Sequence, residues 1–221
     1  MSYVPQRLDF PRLSEAEAAR RSAEFLALMR RRRSVRHFSS EPVAFELIAN
    51  AVRTAATAPS GANQQPWRFV VIANAEVKAA IRAAAEREEE LLYRERATRE
   101  FLEAIDPLGT DWLKPHLTDA PYLIAIFEEP WSRDEEGEKR KNYYVRESVG
   151  IAVGLLLAAL HNAGLATLTH TPSPMRFLKQ ILDRPDNERP FLLIPVGYPV
   201  RDATVPTLAR KPFEQIVELV D

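Results

Sequence analysis

Cysteine is absent from the 221-residue chain, which excludes disulfides, thiolate nucleophiles, Cys-ligated zinc and iron–sulfur clusters together. Glycine is scarce. The seven glycines are Gly61, Gly109, Gly137, Gly150, Gly154, Gly164 and Gly197, and no two are separated by a single residue. Neither a GxGxxG dinucleotide loop nor a GxSxG nucleophile elbow can therefore be written, and the P-loop pattern fails as well. The histidines, His37, His116, His161 and His170, form no HExxH. An excess of one charge is also missing: 30 Lys+Arg stand against 31 Asp+Glu, a formal net charge of −1, so no global field draws the chain to nucleic acid. The longest apolar run, Val149 to Leu160, is too short for a bilayer span, and the first residues lack a basic-then-apolar secretory pattern. The expectation is a soluble, cytoplasmic protein outside the familiar hydrolase, kinase and dinucleotide-binding classes.

What is present is ordinary globular composition, 46% hydrophobic and 28% charged, enough for a sizeable core in a single domain spanning residues 1–221. Ser14 with Glu17 three residues on forms a capping box, opening a helix with Phe25, Leu28 and Met29 on its apolar edge. A second helix follows Pro42, with Leu47, Ile48, Ala51, Val52 and Ala55 at core spacing. Arg68 to Ile72 reads as a strand, and Glu76 begins a charged helix reaching at least Tyr93. A polar, weakly periodic excursion then runs to Pro115. Tyr122 to Phe127 is a buried strand, and Asp134 to Lys141 a charged loop. The helix from about Tyr143 to Asn162 is apolar nearly all round and so central, with Gly164 as its stop. Leu165–Thr169 and Phe191–Val196 are strand candidates around a helix near Met175–Leu182, and Lys211–Val220 is a short amphipathic tail. Helices flanking a small sheet make the class α/β or α+β.

Three constellations could carry chemistry. Arg30 to Arg36 sets five arginines and Ser34 in seven residues, planar forks that suit a phosphate; composition alone leaves a solvated helix end equally open. Ala58 to Trp67 concentrates Ser60, Asn63, Gln64 and Gln65 between two prolines, more polar groups than a helix-to-strand turn requires. Glu89 and Tyr93, four apart, share a helical face, and Lys114 follows the polar excursion; on composition these would be solvated.

The segments Arg32-Arg33-Ser34-Val35-Arg36 and Pro59-Ser60-Gly61-Ala62-Asn63-Gln64-Gln65-Pro66-Trp67 resemble the FMN-dependent nitroreductase superfamily. Combined with Glu89, Tyr93 and Lys114, the chain looks like its iodotyrosine deiodinase branch, the reductive dehalogenases of halotyrosines. The resemblance runs from about Arg30 to the C-terminus, through Asn162-Ala163-Gly164-Leu165, Pro195-Val196-Gly197-Tyr198-Pro199, Ala203-Thr204-Val205-Pro206 and Arg210-Lys211-Pro212.

That resemblance implies a nitroreductase-like fold, with a small central mixed sheet flanked by helices, in an intertwined homodimer holding FMN at the subunit interface. It places Arg32, Arg33, Ser34, Arg36 and Arg210 on the FMN phosphate and ribityl end. Ser60 would meet the other flavin of the dimer, and Thr169 and Thr171 would approach the isoalloxazine ring. Thr171 is the expected catalytic residue, its hydroxyl facing flavin N5 and favouring one-electron chemistry. The backbone N–H of Ala62 and the flavin ribityl chain would hold the substrate phenol oxygen. Glu89, Tyr93 and Lys114 would bind the amino-acid zwitterion from an active-site lid over about residues 88–115. No metal is implied, and the electron donor (NAD(P)H or a reductase) is left open. His161 is expected to be structural, and His170 receives no role. A general nitro or quinone reductase on the same scaffold is the alternative, and a non-catalytic flavin-binding protein a third reading.

Overall fold

The computed structural model describes residues 3–220, which divide into an N-terminal unit up to Arg32 and a larger unit from Arg33 onward. The first unit is an extended arm followed by helix α1 (Glu15–Arg30). Ser14 caps it as expected, its hydroxyl accepting from the Glu17 N–H at 3.3 Å. The Glu17 carboxylate, however, turns outward to Arg20 and Arg21. No residue of α1 is buried, and Phe25 on its apolar edge is 56% exposed.

In the larger unit a four-stranded sheet lies between two helical layers. Its strands are β1 (Trp67–Ile72), β2 (Tyr122–Glu128), β5 (Ala166–Thr167) and β6 (Arg189–Gly197), in the order β1-β2-β6-β5. All named pairs are antiparallel. The mixed character expected of the sheet enters through one parallel bridge, Ser34 to Thr167.

Central strand β2 is apolar and buried from Leu123 to Phe127 because both its faces are covered. Ile124 and Ile126 face α2 (Phe45–Ala55) and α6 (Val145–Asn162), meeting Ile48, Ala51, Ala55, Val149, Ala152, Leu156 and Leu160. Leu123, Ala125 and Phe127 face the opposite layer, where α3 (Ala75–Leu91), α5 (His116–Asp119) and α7 (Arg176–Ile181) contribute Ile81, Ala85, Leu117 and Leu178. The period-2 alternation of a strand thus divides one run of apolar residues between two cores.

Gly197 marks the closest packing, since a Cβ there would stand 2.5 Å from the Pro121 ring. Gly164, at φ 78°, ends α6 as expected. No helix among the described residues is long and apolar enough to cross a membrane.

Three expectations are corrected. The charged loop is a hairpin of β3 (Trp131–Arg133) and β4 (Lys139–Lys141). The excursion before Pro115 contains helix α4 (Arg99–Ile105), capped by the Thr98 hydroxyl on the Phe101 N–H. The tail forms only one 3-10 turn at Phe213–Gln215 and leaves Phe213, Ile216, Val217, Leu219 and Val220 exposed. An isolated segment of that length cannot offset helix nucleation without a surface to pack on.

Candidate active site

The segment after Arg33 is fixed as an added edge of the sheet. The Val35 N–H donates to Thr167 O at 3.0 Å, Ser39 N–H to Tyr198 O at 2.8 Å, and Val200 N–H to His37 O at 3.1 Å. Val35 and Phe38 turn inward against Ala120. Ser34 and Arg36 instead line a cavity of about 250 Å³, closed by Thr204, Val205 and Pro206 on one side and Pro107, Leu108 and Gly109 on the other. The Arg33 guanidinium donates to the Pro206 carbonyl.

Arg36 is half-buried, and desolvation lowers its pKa, while the Tyr93 phenol nearby acts the other way. No carboxylate among the described residues lies within ion-pairing distance of it. A partly desolvated cation with no counter-ion, beside a hydroxyl in a cavity, fits an incoming phosphate. Arg32 is half-buried at the end of the N-terminal unit, and Arg210 is exposed in the irregular segment beyond Pro206. Neither lines the cavity.

The loop before β1 is a tight turn around Gly61–Asn63. The Ser60 hydroxyl accepts from the Gln65 N–H at 2.9 Å, which gives this side chain a turn-closing role in the fold. Ala62 is exposed and left-handed, at φ 50° and ψ 27°. A Cβ at Gly61 would sit 2.6 Å from the Tyr143 carbonyl, so only glycine permits this approach of the loop to the segment that leads into α6.

Thr169 and Thr171 are exposed, and His170 between them is buried. The cause is a strand-like stretch, in which the His170 backbone pairs both ways with Leu193, at 2.9 and 3.0 Å. Its ring meets His116 edge-on, with centroids 5.4 Å apart. Burial pushes both imidazoles down to about 3, assisted by Lys114 and Arg36. Both are therefore neutral, and each has an Nε2 with no hydrogen-bond partner. No arrangement of sequence motifs pointed to His116; only its position two residues after Lys114 could have done so.

Glu89, Tyr93 and Lys114 come together. α3 continues through a π-helical turn over Leu92–Arg96, which keeps Glu89 and Tyr93 on one side, and Lys114 returns to them immediately before α5. The Lys114 ammonium lies 3.1 Å from the Glu89 carboxylate and 5.7 Å from the centre of the Tyr93 ring. It also donates to the Asp111 carbonyl. The Tyr93 hydroxyl donates to Thr110 O at 3.2 Å, and burial raises its pKa. The Lys114 N–H donates to the Glu86 carboxylate at 2.8 Å, anchoring the return of the chain. Lys114 is only 3% exposed and Glu89 9%, the opposite of the solvated reading that composition suggests. Among the described residues no group of His, Asp and Glu could hold a metal ion.

An anion-accepting cavity at Ser34 and Arg36, a left-handed loop at Ala62 and a buried charge cluster at Glu89 and Lys114, all on one α/β frame, make up the candidate reductase site. The chain belongs to the nitroreductase family, whose profile it matches over residues 29–198. It is 57% identical over 195 residues to the iodotyrosine deiodinase of Haliscomenobacter hydrossis, covering 88% of each chain. To iodotyrosine deiodinase 1 of Homo sapiens it is 47% identical over 209 residues, 93% of this chain and 72% of the human one. Its structure resembles that of an oxidized iodotyrosine deiodinase bound to FMN and 3-iodo-L-tyrosine, with TM-score 0.76 and 33% identity, covering 86% of this chain and 96% of that one.

Proposed function

We propose that this protein is an FMN-dependent oxidoreductase that converts 3-iodotyrosine and related halotyrosines to tyrosine and halide. The observation that carries this reading is the buried Glu89–Lys114 pair with Tyr93 against it. A buried pair of opposite charges is costly to maintain, and here it displays one carboxylate and one ammonium side by side. A zwitterion inserted between them exchanges one ion pair for two. Glu89 takes the substrate ammonium, while Lys114 and the Tyr93 hydroxyl take its carboxylate. A general nitro or quinone reductase has no use for this arrangement.

The remaining groups divide between substrate and cofactor. The Ala62 N–H, unpaired inside its turn, holds the phenol oxygen. Arg36 and Ser34 hold the FMN phosphate and ribityl end, joined by Arg32, Arg33 and Arg210, since a phosphate near −2 needs several cations once removed from water. Thr169 and Thr171 approach the ring, with Thr171 supplying a hydroxyl donor toward N5, and Ser60 meets the other flavin of the dimer. When bound, FMN supplies the two electrons of the reaction. The carbon–halogen bond breaks, halide leaves with its electron pair, and the two electrons together with one proton drawn from water form the carbon–hydrogen bond that takes its place. The chain contributes orientation, desolvation and charge placement.

The lid spans about residues 88–115 of a single FMN-binding domain covering the chain. The active form is a homodimer with the cofactor at the interface. Support comes from α6, where Ile151 is exposed and a Cβ at Gly150 or Gly154 would meet no atom within 4 Å. The apolar tail from Leu208 to Val220, exposed in the single chain, suits the same interface. The donor of the two electrons is NAD(P)H or a reductase, and the site is cytoplasmic.

Titrating the oxidized holoprotein with 3-iodotyrosine tests the reading. Perturbation of the flavin spectrum that saturates with iodotyrosine, and that 2-iodophenol does not compete away, is expected. Equal binding of the two would contradict it.

A further inference from the structure

The loop Ser60–Gln65 holds three non-glycine residues in the left-handed region: Ala62 at φ 50°, Asn63 at 54° and Gln65 at 49°. Each is a backbone state that an L-residue leaves when it is free to do so. The loop's internal bonds, Asn63 N–H to Ser60 O, Gln64 N–H to Gly61 O and Gln65 N–H to the Ser60 hydroxyl, close it on itself. They do not attach it to the rest of the fold.

Attachment falls chiefly to one side chain. The Gln64 Oε1 accepts from the Tyr143 N–H at 2.7 Å, and its Nε2 donates to the Lys141 carbonyl at 3.2 Å. One partner is an obligate donor and the other an obligate acceptor, so the orientation of the amide is determined by chemistry. The other tie, Gly61 N–H to the Ser148 hydroxyl, is 3.4 Å long. One partner, Lys141, ends β4, and the other, Tyr143, lies in the link from β4 to α6, where its carbonyl already crowds Gly61.

We infer that Gln64 is a positioning residue for the substrate site: its amide clamps the loop to Lys141 and Tyr143 and so holds Ala62 in the conformation that presents its N–H to the phenol oxygen. The inference rests on the assignment of Ala62 made above. Without the clamp, the turn relaxes toward right-handed backbone and the Ala62 N–H swings off target. The effect is confined to ligands that carry a phenol oxygen. Cofactor retention, which depends chiefly on Arg36 and its neighbours with Ser60 a lesser contact, is largely kept.

The test compares 3-iodo-L-tyrosine with 3-iodo-L-phenylalanine, which has the same zwitterion and no phenol oxygen, both titrated against oxidized holoprotein. Gln64→Leu removes both amide bonds. Gln64→Glu keeps the acceptor for Tyr143 and loses the donor to Lys141. Wild type should prefer iodotyrosine, and Gln64→Leu should lose about tenfold of that preference through iodotyrosine alone. Gln64→Glu should fall between at neutral pH and recover toward wild type as acid protonates its carboxyl. A wild type without preference would count against the Ala62 assignment, and with it the inference. A preferring wild type with equally preferring variants would overturn the clamp alone. Loss of FMN from both variants would overturn it too, because Gln64 would then be holding the cofactor loop as a whole.

Discussion

The carboxylate of Glu89 and the ammonium of Lys114 lie 3.1 Å apart in the protein interior, although they stand 25 positions apart in the chain. Each satisfies the other. Removing one leaves a buried charge uncompensated, which costs about 3–5 kcal/mol before any ligand is considered. Glu89→Gln and Lys114→Ala should therefore lower iodotyrosine affinity tens- to thousands-fold, corresponding to roughly 2–5 kcal/mol. Isothermal titration should show this loss with FMN content unchanged. The double replacement Glu89→Gln/Lys114→Met should recover stability without recovering affinity.

Arg36 offers a different contrast. Its guanidinium is half-desolvated and faces a cavity with no carboxylate opposite. Arg36→Ala should weaken FMN binding by ~10- to 100-fold, and Arg36→Lys should restore only part, because a point charge cannot reproduce the planar fork. Fluorescence titration of apoprotein with FMN checks both. Unchanged retention would place the phosphate elsewhere.

The two buried imidazoles set a pH dependence whose sign is fixed. Both sit near 3 in the folded state against about 6.5 when exposed. Between those values the unfolded chain binds more protons, so stability rises with pH. The contribution is complete above about 6.5 and is lost as pH falls toward 3, at ~1.4 kcal/mol per pH unit for each ring. Urea unfolding from pH 7 to pH 4.5 should show this slope, and His170→Leu should remove its share. An identical slope in the variant would exclude His170 as its origin.

Gly197 tests the packing of the sheet. Alanine there would drive a Cβ to 2.5 Å from the Pro121 ring, an overpacking worth about 1–3 kcal/mol of stability. Thermal unfolding of Gly197→Ala should register that loss with FMN content preserved.

Much of this frame can be read from residue order, and the limits have physical causes. Capped helices and the doubly buried strand at Tyr122 are legible because their signals are local: a side-chain cap, a 3.6 period, an unbroken apolar run. The β3–β4 hairpin is not, because Lys139-Arg140-Lys141 has no buried face and so no alternation. α4 escapes for the same reason, with no buried residue of its own. In the site, the shared face of Glu89 and Tyr93 follows from helical spacing. The return of Lys114 is a tertiary event that no spacing encodes, and only the family resemblance pointed to it. The Gln64 clamp depends on a segment 77–79 residues away, so its motif marks it as polar without saying what it grips.

The central claim is dehalogenation guided by the Glu89–Lys114 pair, and one anaerobic experiment tests it. Photoreduced holoprotein is mixed with 3-iodotyrosine or, separately, with a small nitroaromatic, and flavin reoxidation is followed with iodide and tyrosine measured. The expected result is one iodide and one tyrosine per reoxidized flavin, abolished in Glu89→Gln while nitroaromatic reduction persists. Rapid reoxidation by the nitroaromatic with no iodide released from iodotyrosine would contradict the claim and leave a general nitroreductase in its place.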